Sequence, residues 1–512
     1  MRKTKHTSHS SHIVQNVGRY GVVWLVVASV ILAPSSFVFA AAVAYITNGP
    51  NVELTGNARN IEAIDTIVHQ NVGTIDQRFG IGKLPRAVTF SPNGKRAYVA
   101  NFSDDSVSVV TVRFNEVINR DIGPGNDIIR VGDGPFGVAV TPNGKRAYVS
   151  NELDNTISVI NVDTKSPTFH TVLETISVGE LPTGIAVTPD GTKVYVGHLT
   201  RQGSEVPATL TIIEVATNKV LKTIEFQPQE FSRPPAIGMV TILNQAYVTG
   251  VALDNEGGQS VSVIDVLTDE VITTIGVGAR PSDVAFHPDG ARAFVANSGS
   301  HSFSVINTLT GQVTNEIVTD RNPWAVAVAP DGLTMYVVFA AIDEAAIGIA
   351  AVFDIESLSA NPLVPFVEHD GASTDIAIQP VLRLKSPNGG EVFRSGDEQV
   401  IRWRMIQGGA QNARTIVVAD HVDVSYSLDS GRTFGNIIVE GAPAPCRKTR
   451  TSIEDGVENS EIDVCEKFGG DNLWIVPQAD SASVRVKIVV RDASGQAIAT
   501  DFSNADFTIL AN

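Results

Sequence analysis

Few side chains of this chain have the types and the spacing that catalysis or metal binding requires. The sequence has no HExxH helix, no GxSxG elbow, no CxxCH haem site and no P-loop. The acidic pair Asp104-Asp105 would suit either calcium or an exposed turn. GDGPFG at Gly132–Gly137 matches GxGxxG, but it precedes a predicted strand, so no helix N-terminus can hold a pyrophosphate. The histidines are scattered without ligand spacing, among them His198, His287 and His301. We therefore predict no catalytic residues, no metal site and no cofactor.

One set of side chains has the types that binding surfaces use. Arg86, Phe136 and Trp324 each follow a Pro that opens an apolar strand in one of several similar segments. The corresponding positions elsewhere hold Thr183, Ala236, Ser282 and, in a closing segment, Thr374. If the segments form a ring, all these positions share one rim of the central channel. An Arg and two aromatics among small residues favour a ligand or peptide groove there, and ordinary packing at the channel mouth is the other interpretation.

The elements that position these residues are repeats of one pattern. Each repeat has a Pro, an apolar strand, a Pro-Asn/Asp-Gly turn and a strand containing Tyr-Val or its equivalent. The pattern appears as PRAVTFSPNGKRAYVAN (Pro85–Asn101), PFGVAVTPNGKRAYVSN (Pro135–Asn151), PTGIAVTPDGTKVYVGH (Pro182–His198), PSDVAFHPDGARAFVAN (Pro281–Asn297) and PWAVAVAPDGLTMYVVF (Pro323–Phe339). A third strand of the SVSV type and a fourth strand complete each period of about 40–50 residues, as in a propeller blade.

The repeats predict seven blades and a closed ring. Their aromatic markers are Tyr45, Tyr98, Tyr148, Tyr195, Tyr247, Phe294 and Tyr336. The first unit begins at its second strand, Ala44–Asn48, and a matching first strand appears only at Ser373–Pro380. We expect Ile376–Ile378 to pair with Ala44–Asn48, because such pairing removes an exposed sheet edge. The fifth unit has Val240–Asn244 in place of the Pro-Asp-Gly turn, so the pattern leaves its hairpin undecided.

The repeats resemble the YVTN family of β-propeller repeats. The resemblance rests on AYITN, AYVAN, AYVSN and AYVTG, together with the PNG and PDG turns and the VSVID-type strand. It implies a seven-bladed β-propeller over residues 43–380, closed by the strand at 374–380. Similar repeats occur in surface-layer and other exported proteins, and related propellers occur in lactonases and redox enzymes. The resemblance therefore implies a scaffold and leaves the activity open.

A second domain is expected over residues 384–512. Short alternating strands separated by Gly and Asp turns predict a β-sandwich there. The PNGGE…W opening is similar to that of immunoglobulin-like modules, and Trp403 and Trp474 are expected in the core. SLDSGRTF at Ser427–Phe434 matches the Asp-box pattern, which chiefly braces a hairpin, so we expect Asp429 to be structural.

The N-terminus predicts export. Basic residues, an apolar run at Gly21–Pro34 and small residues at Val38 and Ala40 fit a signal peptide over 1–40. An uncleaved anchor is the alternative, although the run is short against the roughly 20 residues of a membrane span. The mature chain is then periplasmic, at the cell surface or extracellular, with no membrane span. In an exported chain the two cysteines, Cys446 and Cys465, predict a disulfide.

Charge and motifs together favour a binding protein. The net charge of −17 disfavours nucleic acid as a partner. We predict an all-β chain, a seven-bladed β-propeller followed by an immunoglobulin-like β-sandwich, that binds an unidentified protein or surface ligand. The alternative is a lactonase-like hydrolase with metal-bound acids in the channel. Three or more converging carboxylates or histidines would favour that hydrolase, and small apolar lining would favour the scaffold. A redox subunit would need a cofactor for which the sequence has no ligands.

Overall fold

The computed structural model is built almost entirely of β-strands. Its described part contains no α-helix, and the 3₁₀ turn that is described in full lies at Phe102–Asp104. The structure describes residues 39–40, 43–49, 60–65, 70–76, 81–112, 116–117, 128–199, 207–226, 235–240, 243–250, 259–330, 332–339, 347–358, 364–370, 372–378, 382–387, 391–405, 416–417, 421–429, 434–443, 446–447, 467–468, 471–477, 479, 481–491, 497–503 and 506–511. The predicted signal peptide, apart from its last two residues, and Cys465 of the predicted disulfide lie outside these ranges.

The first thirty strands comprise a short first strand outside the ring and the twenty-nine strands that form the ring. They are β1 (Phe39–Ala40), β2 (Val43–Gly49), β3 (Asn60–Asp65), β4 (Gln70–Asp76), β5 (Pro85–Phe90), β6 (Arg96–Asn101), β7 (Ser106–Thr111), β8 (Glu116–Val117), β9 (Ile129–Arg130), β10 (Pro135–Val140), β11 (Arg146–Asn151), β12 (Thr156–Asn161), β13 (Val172–Ser177), β14 (Pro182–Val187), β15 (Lys193–His198), β16 (Thr209–Glu214), β17 (Lys219–Glu225), β18 (Ile237–Val240), β19 (Gln245–Thr249), β20 (Ser260–Asp265), β21 (Glu270–Gly276), β22 (Pro281–Phe286), β23 (Arg292–Asn297), β24 (Ser302–Asn307), β25 (Gln312–Val318), β26 (Pro323–Val328), β27 (Thr334–Phe339), β28 (Ile347–Asp354), β29 (Val364–Asp370) and β30 (Ala372–Ile378).

Twelve further strands follow. They are β31 (Leu382–Ser386), β32 (Val392–Arg394), β33 (Glu398–Met405), β34 (Ile416–Val417), β35 (His421–Ser427), β36 (Asn436–Pro443), β37 (Cys446–Arg447), β38 (Lys467–Phe468), β39 (Asp471–Ile475), β40 (Ser481–Arg491), β41 (Ala497–Phe502) and β42 (Phe507–Leu510). Among the described strands, β1 pairs with β34 alone.

Seven antiparallel sheets form the blades of a closed propeller, as the sequence predicts. From the inner strand outward, blade 1 is β30-β2-β3-β4, blade 2 is β5-β6-β7-β8 with β9 also beside β7, and blades 3 to 7 are β10–β13, β14–β17, β18–β21, β22–β25 and β26–β29. Each inner strand contacts the inner strand of the next blade, and β30 contacts β5. In blade 1, Ile376 lies opposite Ile46 and Ile378 opposite Ala44, so the expected closing pair is present.

The apolar positions of the repeat pack between blades. The aromatic markers Tyr98, Tyr148, Tyr195, Tyr247, Phe294 and Tyr336 are all buried. In one such layer, Tyr148 and Val159 of blade 3 pack with Val194 and Ile213 of blade 4. Burying one large apolar side chain contributes about 1.5–3 kcal/mol, so each blade depends on its neighbours for most of its stability.

The polar residues of the repeat form hydrogen bonds inside the blades. The side-chain amide of Asn101 donates to the hydroxyls of Ser106 and Ser108, at 3.1 and 2.9 Å. Asn151 and Asn297 make equivalent pairs of bonds in blades 3 and 6. These bonds explain why an Asn ends the second strand while the third strand alternates Ser or Thr with apolar residues. These polar positions therefore stabilise the fold and do not form a site.

The fifth unit forms its hairpin without the Pro-Asp-Gly turn. Strands β18 and β19 pair in register, with Gly238 opposite Tyr247. Asn244, in the left-handed region at φ 50°, ends the connection, and its side-chain oxygen accepts a 2.7 Å hydrogen bond from the buried Arg485 of β40. The departure from the repeat pattern therefore lies where the C-terminal domain contacts the ring.

The C-terminal strands form two packed sheets. One sheet has the order β31-β33-β39, and the other β32-β42-β40-β35-β36 with β41 beside β40. Trp474 of β39 is buried against Phe507 of β42, Phe393 of β32 and Tyr426 of β35, so the sheets share one aromatic core. This two-layer arrangement is a β-sandwich. The burial of Trp474 agrees with its predicted core position, whereas the side chain of Trp403 lies outside the described part.

Candidate functional site

A cavity of about 190 Å³ lies at the mouth of the central channel, where the inner strands begin. Residues at or just before the start of six inner strands line it, including Arg86, Phe136 and Trp324. The structure therefore places the three predicted rim residues together on one face. Each of the three is half-buried, and Trp324 also packs against the hydrophobic layer between blades 1 and 7.

Arg86 is the cationic group of this cavity. Its guanidinium carbon lies 5.3 Å from the centre of the Phe102 ring and 5.8 Å from that of Phe136. Such cation–π contacts stabilise the charge without using the N–H donors. The buried Nε of Arg86 has no hydrogen-bond partner in the described part of the chain. Burial lowers the pKa of Arg86, and attraction to Glu152 partly opposes the shift. An unpaired buried donor of this kind favours a bound anion.

Asp283 is the one carboxylate among the described lining residues. Its two oxygens accept 2.8 Å hydrogen bonds from the backbone N–H groups of Val284 and Val326, so it joins blades 6 and 7. Burial raises the pKa of Asp283 to about 6, against the opposing effect of these two bonds. Beside it, the hydroxyl of Ser282 donates to the Trp324 carbonyl at 2.7 Å.

The remaining rim positions agree only in part with the sequence interpretation. Ser282 and Ala236 line the cavity. Thr183 does not, because its side chain is fully buried and its hydroxyl donates to the Gly197 carbonyl at 3.2 Å. The strand register makes Pro235, not Ala236, the equivalent of Phe136, since Gly238 and Ala139 each lie opposite the marker Tyr. The side chain of Thr374 lies outside the described part.

Sequence reasoning missed two features of the site: the place of Asp283 at the channel, and the close approach of neighbouring inner strands at Gly137 and Gly184. Asp283 occupies a position that holds Gly137 and Gly184 in blades 3 and 4, and only the register between blades reveals its place at the channel. At Gly184 a Cβ atom would lie 1.9 Å from the Pro235 carbonyl oxygen, and at Gly137 it would lie 2.6 Å from that of Thr183. Neighbouring inner strands therefore approach each other too closely there for any side chain.

Several other residues considered for chemistry have structural partners. His198 is buried between the Glu180 carbonyl and the Thr211 hydroxyl, at 2.9 and 2.8 Å. Asp104 accepts a bond from the Lys83 backbone N–H, and Asp105 accepts one from Gly134. GDGPFG leads into strand β10. Asp429 bonds to Ser427 within the Asp-box, as expected of a brace. Among the described residues, no three His, Cys, Asp or Glu side chains group as metal ligands would.

One comparison with known proteins, a family model, supports the propeller. A family model described as "Lactonase, 7-bladed beta-propeller" matches residues 70–215 and 126–239. Hydrazine synthase from Kuenenia stuttgartiensis aligns with a TM-score of 0.44 and 20% sequence identity, over 65% of this chain and 94% of that chain. None of the curated proteins compared with the chain matches it. Within the described residues, no helix is long and apolar enough to cross a membrane.

Proposed function

We propose that this propeller is an exported binding scaffold whose channel-mouth cavity takes a carboxylate attached to an apolar group. The observation that carries the proposal is the buried Nε of Arg86, which has no hydrogen-bond partner among the described residues although the side chain lines a cavity. Phe136, Trp324 and Ile237 supply apolar surface beside it. A volume of about 190 Å³ suits a small acid or the end of a peptide chain.

Calorimetry with three probes of one shape tests this proposal. Phenylacetate carries the carboxylate, while 2-phenylethanol and phenethylamine replace it with a neutral and a cationic group. We expect phenylacetate to bind most tightly, because its carboxylate accepts a charge-assisted hydrogen bond from Arg86, whereas the alcohol accepts only a weaker neutral bond and the ammonium cannot accept. A peptide ending in phenylalanine then shows whether the carboxylate is taken from a chain end.

Two variants assign the binding to the cavity. Arg86→Met should weaken phenylacetate binding by about tenfold or more, as expected for a lost charged hydrogen bond. Trp324→Ala should weaken binding while the ring stays folded, because the side chain is half-buried. Arg130→Gln, at an exposed arginine of β9, is the control and should bind as the natural chain does. Equal binding of all three probes, or unchanged binding in Arg86→Met, would contradict the proposal.

A hydrolase is the second candidate, and the match to the lactonase family model favours it. The described residues do not fit a metal-dependent lactonase site, because Asp283 is the one carboxylate of the cavity and both its oxygens already accept backbone N–H groups. The test is hydrolysis of δ-valerolactone with and without added calcium, magnesium or manganese. Turnover that disappears in Asp283→Asn would support the hydrolase over the scaffold.

A further inference from the structure

A second cavity, of about 330 Å³, lies at the opposite end of the inner strands, between blades 2 and 3. Its lining includes three cations, Arg96, Lys145 and Lys165, and one acid, Asp163. Within the described part of the chain, none of the three cations has an ion-pair partner, and the buried Nε of Arg96 has no hydrogen bond. Asp163 is turned toward the backbone, where it accepts from the Lys165 N–H at 3.0 Å. The cavity is therefore cationic in a chain whose net charge is −17.

Three other blades show what a cation at the position of Arg96 normally contacts. Each of these cations starts the second strand of its blade and reaches the turn between the third and fourth strands of the next blade. Lys193 donates to the Val266 carbonyl at 2.9 Å and to the Asp269 carboxylate at 2.7 Å. Arg146 donates to the Val215 carbonyl and to the side chain of Asn218. Arg292 donates to the Ile355 carbonyl at 3.3 Å.

At Arg96 the corresponding acceptor is replaced by a histidine. The backbone N–H of His170 donates to the Asn161 carbonyl, as Asp269 donates to Asp265. Both residues also have positive φ, 62° and 58°. His170 thus occupies the place of Asp269, and its ring lies near the Tyr98 hydroxyl, 3.5 Å from Nε2. A neutral imidazole cannot balance a guanidinium, so Arg96 lacks the counter-charge that Lys193 has.

The same turn carries an insertion that brings in a further cation. Eleven residues separate Ile160 from Val172, against six between the equivalent Ile213 and Val220. The longer turn places Phe169 with its ring centre 5.3 Å from the guanidinium carbon of Arg96, and it adds Lys165 to the cavity wall. Compared with the turn that holds Asp269, this turn therefore lacks the carboxylate acceptor and adds the Lys165 ammonium as a donor in the same cavity.

We propose that this cavity binds a phosphate or sulfate group carried by a small polar molecule. Arg96 presents N–H donors that suit a tetrahedral oxyanion, and the two lysines supply point charges at the cavity wall. Polar turn residues such as Ser91, Asn93 and Asn143 line the rest, so the attached group is polar. A volume of about 330 Å³ leaves room for that group beside the oxyanion. The site is independent of the channel-mouth cavity.

Titration calorimetry on the mature chain tests this site with inorganic phosphate, inorganic sulfate and glycerol phosphate, at ionic strength held constant with chloride. We expect at least one probe to bind, and tighter binding of glycerol phosphate than of phosphate would identify a phosphate ester as the source. Arg96→Gln should weaken binding about tenfold or more, because it removes the buried charged donor. Lys219→Gln, an exposed charge-matched change in blade 4, should leave binding unchanged.

A second variant reproduces at Arg96 the arrangement that Lys193 and Asp269 have between blades 4 and 5. His170→Asp should give Arg96 and Tyr98 the acceptor that Lys193 and Tyr195 have, and should abolish oxyanion binding while raising the melting temperature. Lack of binding of all three probes at millimolar concentration would overturn the proposal. Binding that persists in both Arg96→Gln and His170→Asp would also overturn it, since the oxyanion would then lie elsewhere. If one variant fails to fold, the other decides the result.

Discussion

Lys193 makes a largely buried ion pair between blades 4 and 5, and its loss is expected to destabilise the ring. Its ammonium lies 2.7 Å from the Asp269 carboxylate, and the side chains are only 18% and 13% exposed. The Tyr195 hydroxyl donates to the same carboxylate, and the Val266 carbonyl accepts from the ammonium. Lys193→Met keeps the aliphatic stem but leaves a largely buried carboxylate with one donor.

The expected cost can be worked out from this burial. Removing one partner of a buried ion pair costs about 3–5 kcal/mol, and the residual exposure of both groups favours the lower end, about 3 kcal/mol. A ring of about 340 residues has an unfolding entropy of about 0.7 kcal/mol per kelvin. The melting temperature of Lys193→Met should therefore fall by about 4 °C.

Scanning calorimetry at one scan rate measures this shift, with Lys222→Met as the matched control. Lys222 also lies 2.7 Å from a carboxylate, that of Glu270, but the two side chains are 36% and 73% exposed. An exposed pair contributes about 0–1 kcal/mol, so the control should lose about 1 °C or less. The double variant Lys193→Met/Asp269→Asn should recover part of the loss, because the stranded charge is removed. If the melting temperature of Lys193→Met falls no further than that of the control, burial does not set the contribution of this pair and the reasoning is wrong.

Two further predictions concern the inner strands. Burial raises the pKa of Asp283 to about 6 from 3.8, so the folded chain holds this proton more tightly than the unfolded chain. The resulting stabilisation, on the order of 3 kcal/mol, is complete below about pH 4 and is lost as the pH rises through about 6. The melting-temperature difference between the natural chain and Asp283→Asn should fall over that range, and a constant difference would contradict the shift. Gly184→Ala should cost about 3 kcal/mol or more, since its Cβ would meet the Pro235 carbonyl oxygen at 1.9 Å, whereas Gly276→Ala has no atom within 4 Å and should be nearly neutral by thermal melting.

Repetition made most of the fold predictable from the sequence. The turns with Gly94, Gly144 and Gly191 need positive φ, and the alternation of apolar residues defines strands over a few positions. Such signals are local, so a single sequence contains them. The ring closure could also be predicted, because the first unit begins at its second strand and a matching first strand occurs at Ser373–Pro380. Repeat equivalence likewise placed Arg86, Phe136 and Trp324 on one face without any structure.

Contacts between blades could not be predicted from the sequence in the same way. Whether a cation at the start of the second strand is paired depends on a residue roughly seventy positions later, as with Lys193 and Asp269, which are 76 residues apart. The repeat pattern is alike at Arg96, Arg146 and Lys193. Only tertiary packing shows that Arg96 lies over the Phe169 ring, that His170 lies at the Tyr98 hydroxyl, and that Asp283 reaches the channel. Local sequence determined the strands, the turns and the number of blades because short-range sterics and burial periodicity govern them. Charge pairing and cavity lining were decided by tertiary structure because they depend on distances between residues remote in the chain.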